Sequence, residues 1–161
     1  MMKEVKQSFK ILVVDDDPSV SSMFRSLLEF DGHDVQTIGS AEAALPLLEQ
    51  THFDLIITDY LMQGMMGDEF AALVKERWPD QPIIMASGSY SNSTVVGKGA
   101  LCVDYFLSKP FLMGELRDAI TWVLTHHSDN PQSGPRTPWI PGSHMTGTDT
   151  TGQRPDDYSD L

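Results

Sequence analysis

Leu55-Ile56-Ile57-Thr58-Asp59 is a short run of apolar and β-branched residues that stops abruptly on a carboxylate. Three other runs repeat the pattern. Ile11-Leu12-Val13-Val14 stops on Asp15-Asp16-Asp17, Pro82-Ile83-Ile84-Met85-Ala86 stops on Ser87, and Tyr105-Phe106-Leu107-Ser108 delivers Lys109. Runs that are apolar at consecutive positions, separated by helix-period segments, predict parallel strands buried on both faces. In such sheets ligands bind just beyond the carboxyl ends of the strands. The expected class is α/β, with acids, a hydroxyl and a lysine converging on one edge.

The segments between the strands carry helical spacing. Pro18 and Ser19 punctuate a helix start, and Val20, Met23, Phe24, Leu27 and Leu28 form one apolar face that Gly32 ends. Val35 to Ile38 is a short strand. Ser40 suits the N-cap of a helix over Ala41 to Glu49, with Leu45 and Leu48 facing inward; Pro46 inside it should kink or shorten it, at about 3 kcal/mol if unrelieved. After Asp59 a Gly- and Met-rich loop leads into a helix striped by Phe70, Leu73 and Val74 and ended by Trp78-Pro79. The segment Gly88 to Ala100 contains Gly88, Gly97 and Gly99, each costing a helix about 1 kcal/mol relative to Ala, so the fourth helix should be short and soft. Leu116, Ala119, Ile120, Val123 and Leu124 stripe a last helix that ends near His126 and His127.

At 161 residues and 40% hydrophobic content the chain has room for one domain with a real core and a remainder. A net charge of -12 repels polyanions, which argues against nucleic acid or an anionic membrane as partner. The lone Cys102 cannot form an internal disulfide. The opening residues lack a basic-then-apolar leader, and no apolar run approaches the roughly 20 residues that span a bilayer, so a cytoplasmic protein is expected. The domain is expected over residues 1–127. From Ser128 to Leu161 the chain turns rich in Pro, Gly, Ser and Thr without any period, which predicts a disordered tail. Within it Gly142-Ser143-His144-Met145 matches the remnant of a cleaved expression tag, so part of the tail reads as vector-derived.

Asp15-Asp16, Asp59-Tyr60-Leu61-Met62 through Gly67, Ala86-Ser87 and Lys109-Pro110-Phe111, in this order and spacing, resemble the receiver domain of bacterial two-component response regulators. The resemblance covers Lys10 to about Thr125. It implies a doubly wound five-stranded parallel sheet in the flavodoxin-like order 2-1-3-4-5 with five helices. Its site would make Asp59 the phosphoacceptor, aided by Lys109 and Ser87, with Ser87 and Phe106 as switch residues. The Lys109-Pro110 bond would be cis, against about 5% for X-Pro bonds generally.

The chemistry explains the residue types independently. Clustered carboxylates repel unless a hard divalent cation sits among them, and Mg2+ takes an octahedron of oxygens with one or two protein carboxylates. Asp16 and Asp59 suit direct ligation. By the resemblance the Leu61 carbonyl is a third ligand, Asp15 acts through water, and Asp17 is a bystander. A carboxylate can attack phosphorus to give an aspartyl-phosphate, and Lys109 can meet the charge on the transferring oxygens. Some positions depart from the family pattern: Gln63 stands for a frequent proline, Ser87 for a threonine, Phe106 for a tyrosine, and Cys102-Val103 for glycine and alanine.

The function implied is a non-enzymatic phosphorylation switch, charged by a sensor histidine kinase or phosphotransfer protein and read by a downstream protein. Two rival functions fit the residues less well. A phosphorylation-independent docking module would tolerate loss of the acids or the lysine, and all are present. A phosphatase with an aspartyl nucleophile would need Thr after a second Asp two residues on; Asp15-Asp16-Asp17-Pro18 lacks it.

Overall fold

The computed structural model describes residues 7–88 and 102–128, and over them the apolar runs become one parallel sheet. The elements in chain order are β1 (Lys10–Val14), α1 (Pro18–Phe30), β2 (Asp34–Ile38), α2 (Ala41–Gln50), β3 (Leu55–Asp59), α3 (Gly67–Arg77), β4 (Ile83–Ser87), β5 (Tyr105–Ser108) and α4 (Met113–Ser128). The strands lie in the order β2-β1-β3-β4-β5, all parallel, as the resemblance implied.

Consecutive apolar residues are needed because neighbours on a strand face opposite layers. Leu12 and Val14 join Ala44, Leu48, Phe70 and Val74 under α2 and α3. Ile11 and Val13 join Phe24, Leu28, Leu116, Ala119 and Ile120 under α1 and α4. Among the described residues two helices cover each face, which is the doubly wound arrangement.

Among the described residues there are four helices, where five were expected. The expected helix over Gly88 to Ala100 lies almost wholly outside the described residues, as does the tail beyond Ser128. Some inward-facing assignments shift. In α1 only Phe24 and Leu28 are fully buried, and Met23 is 41% exposed. In α3 Ala71 is buried and Leu73 only half so, because the stripe facing the sheet is narrower than the apolar spacing suggested. Pro46 does not shorten α2, which runs ten residues with Pro46 inside. Its exposed position lets water replace the backbone bond that proline removes.

The ends of α1 have clear chemical causes. Asp17, expected to be a bystander, caps it by accepting the Ser19 N–H at 2.8 Å. At the other end Gly32, at φ 91°, lets the chain reverse. Its N–H donates to the Glu29 carbonyl and that of His33 to the Leu28 carbonyl, the paired bonds of a Schellman motif.

Candidate functional site

Register brings Val14 beside Thr58, Asp59 beside Ala86 and Ser87 beside Ser108. The residues that follow these positions leave the sheet at one edge. Asp15, Asp16 and Asp59 each offer a carboxylate oxygen within 4.8 Å of the other two. Asp15 is buried, Asp59 partly so, and Asp16 is exposed. Lys109 reaches both inner acids, with Nζ 3.3 Å from Asp15 Oδ2 and 3.4 Å from Asp59 Oδ1. One ammonium thus faces three carboxylates.

That imbalance is felt at Asp59. Burial pushes its carboxyl above the usual carboxylate range; the Lys109 charge pulls it back, Asp15 pushes it further up, and the Tyr60 N–H, donating to Oδ1 at 2.9 Å, lowers it again. A divalent cation would remove the excess negative charge. Ligand oxygens around Mg2+ sit about 2.9 Å apart when adjacent and about 4.2 Å apart when opposite, so acids within 4.8 Å of one another would draw closer around an ion. The donor set, all hard oxygen, fits.

Ser87 ends β4 and is buried, and its carbonyl accepts the Lys109 N–H at 2.9 Å, which fixes the lysine's backbone to the hydroxyl's strand. The Lys109-Pro110 bond is cis, as expected. Phe106 is already inside, 4% exposed among Met85 and Val103. A phenyl ring has no hydroxyl to satisfy, so burying it leaves no polar group unpaired. Leu61, two residues past Asp59, is 51% exposed.

Several residues matter here that sequence reasoning passed over. Thr58 is buried and its hydroxyl donates to the Asp59 carbonyl at 3.0 Å. Gly67 opens α3 so close to β3 that a Cβ there would collide with the Asp59 carbonyl oxygen, and its N–H donates to the Tyr60 carbonyl at 2.9 Å. Gly67 closes the stretch that begins at Asp59, and the close approach explains why a glycine stands there. The N–H of Gln63 donates to Asp16 Oδ2 at 2.9 Å and that of Met65 to Glu42 Oε1 at 2.8 Å. A wide groove at the opposite edge of the sheet, lined by Phe9, His33, Trp78 and Arg117 among others, holds none of these residues.

Comparison with known proteins agrees with this geometry. The family model described as response regulator receiver domain matches residues 11–121. A transcriptional regulatory protein of Bacillus subtilis, YvrH, is 32% identical over 106 residues, covering 65% of this chain and 44% of its own. The chain spans about half or less of the length of the curated relatives it matches, from 24% to 54%. Among solved structures, the chemotaxis protein CheY4 of Vibrio cholerae is similar at a TM-score of 0.68 and 29% identity, covering 73% of this chain and 99% of that one. The response regulator TrrA of Thermotoga maritima, solved in complex with Mg2+ and BeF, is similar at a TM-score of 0.66 and 28% identity, covering 71% of this chain and 97% of that one.

Proposed function

Since this chain belongs to the response regulator receiver domain family of two-component signalling, we propose that Asp59 is its phosphoacceptor. The donor is a phosphorylated histidine on a sensor kinase or phosphotransfer protein. The observation that carries this reading is the Lys109 ammonium held between Asp15 and Asp59 at 3.3 and 3.4 Å, in a trio of carboxylates whose remaining negative charge a divalent cation would balance.

An Asp59 carboxylate oxygen attacks phosphorus as the P–N bond of the donor breaks. The electron pair of that bond returns to the imidazole, which takes up a proton, and the product is an acyl phosphate. Asp16 and Asp59 would hold Mg2+ directly, the Leu61 carbonyl would be a third ligand, and Asp15 would act through water. Mg2+ bound there supplies positive charge opposite the transferring oxygens. Lys109 exchanges its contact with Asp59 for one with the phosphoryl group. The Ser87 hydroxyl donates to the same group, drawing the end of β4 toward Asp59, and the buried Phe106 on the neighbouring strand completes the altered face.

The downstream target is proposed to be a protein, in a cytoplasmic setting. Charge alone argues against nucleic acid, and a longer relative bears the name of a transcriptional regulator. No helix of the described residues is long and apolar enough to cross a membrane. The test is uptake of a phosphoryl group from a small acyl phosphate. Uptake that needs Mg2+ and disappears in Asp59→Asn supports the proposal; undiminished uptake by Asp59→Asn overturns it.

A further inference from the structure

The geometry points to Glu42 as a positioning residue for the metal and phosphoryl site, acting as a latch on the loop between β3 and α3. That loop starts at Tyr60, immediately after the proposed acceptor, and contains Leu61, the proposed carbonyl ligand. Its backbone is held by carboxylates from the β1–α1 loop, α2 and α3. Asp16 accepts the Gln63 N–H at 2.9 Å, Glu42 the Met65 N–H at 2.8 Å, and Glu69 the Met66 N–H at 3.2 Å.

The three holds are not equivalent. Asp16 is itself a proposed metal ligand, so the oxygen that holds Gln63 is the kind of group an ion would recruit. Glu69 lies within α3 and ties only that helix's own start. Glu42 comes from α2, 23 residues away in sequence, and stands outside the carboxylate trio. Apart from Met62, which packs into the core, it is the polar hold that ties the loop to the rest of the domain while Asp16 turns to the ion. The loop is shaped to receive it: Gly64 sits at φ 80°, and a Cβ there would collide with Glu42 Oε1. Groups that orient metal ligands from outside the coordination sphere commonly change affinity by about tenfold or more when removed.

A competing role exists. Glu42 lies in the first turn of α2, where any carboxylate favours the positive end of the helix dipole. The two roles predict opposite rankings of conservative variants. Glu42→Gln keeps the reach and the accepting oxygen but loses the charge, whereas Glu42→Asp keeps the charge and loses a methylene of reach.

The inference rests on the carboxylate trio binding Mg2+, so the experiment measures both. Mg2+ is titrated calorimetrically into the full chain and its Glu42→Gln, Glu42→Asp and Glu42→Ala variants, and amide exchange at Met65 is followed by NMR. The latch predicts that Gln stays within about twofold of the unchanged chain. Asp and Ala should weaken Mg2+ by about tenfold and expose the Met65 amide to faster exchange. Retention by Asp with loss by Gln assigns the helix role and overturns the latch, as do equal affinities in all variants. If the unchanged chain binds no Mg2+, the reading of the trio fails and the latch falls with it, an outcome distinct from normal binding that ignores Glu42.

Discussion

Asp59→Asn should make the metal-free domain more stable, not less. Asp59 lies within 4.8 Å of an oxygen on each of Asp15 and Asp16 and 3.4 Å from Lys109. At an effective dielectric constant of about 20, each repulsion is worth at least about 3.5 kcal/mol and the attraction about 5 kcal/mol. The repulsions win by roughly 2 kcal/mol, an excess that solvent around the exposed Asp16 reduces and burial of Asp59 increases. Asparagine keeps the shape and an oxygen for the Tyr60 N–H while removing the charge, so a gain of about 1–2 kcal/mol follows, several degrees in melting temperature for a domain of this size.

The sign with pH is equally specific. The fold raises the Asp59 carboxyl above its ordinary 3.8, so the stability this group contributes is present below that value and lost as pH rises through the folded-state value. The advantage of Asn is therefore greatest above the folded-state value and has faded once the pH falls below 3.8, where the aspartic acid is neutral too. Mg2+ should reverse the order, because at a hundredfold excess over Kd the unchanged chain gains about 2.7 kcal/mol and the variant, lacking a ligand, gains little. Melting curves with and without Mg2+, at neutral and acid pH, test all three signs. An Asn variant less stable than the unchanged chain in metal-free neutral buffer refutes the reasoning.

Lys109→Ala should retain Mg2+ binding while losing the conformational response to phosphorylation; a tenfold weaker Mg2+ affinity, about 1.4 kcal/mol, contradicts the assignment of the lysine to the phosphoryl group. Gly67→Ala should destabilise the domain by about 1–3 kcal/mol despite alanine's better helix propensity, since the added methyl would force α3 away from the Asp59 carbonyl; chemical denaturation reads this, and an unchanged midpoint argues against the close approach. Leu61→Asn should hasten loss of the phosphoryl group about tenfold, because an amide beside the site can hold an attacking water that leucine cannot; that is about 1.4 kcal/mol of barrier, and an unchanged decay rate would place control of water elsewhere.

Four runs of buried strand and their terminal residues were legible in the sequence because a strand covered on both faces must be apolar at every position, as Leu12 and Val13 are on opposite layers. The acids of the site stood out because carboxylates after such runs have no structural reason to cluster. The order of the strands was not in the periodicity and came with the family resemblance. Glu42 escaped notice because its partner is a backbone N–H brought close only by the fold, and an acid in the first turn of a helix is unremarkable. Gly67 looked like one more loop glycine until the Asp59 carbonyl was found against it. The resemblance left Asp17 a bystander of the metal site, and its capping of α1 was not foreseen because it depends on the turn into the helix. Phe106, which the resemblance made a switch residue, lies inside.

The most direct measurement traps the phosphoryl group where it lands. Borohydride cleaves an acyl phosphate reductively and converts the aspartate that carried it to homoserine, which peptide mass spectrometry can place in the chain. After exposure to a phosphodonor with Mg2+, homoserine is expected at position 59 and nowhere else. Homoserine at 15 or 16, or a phosphate on Ser87 that borohydride leaves intact, would contradict it.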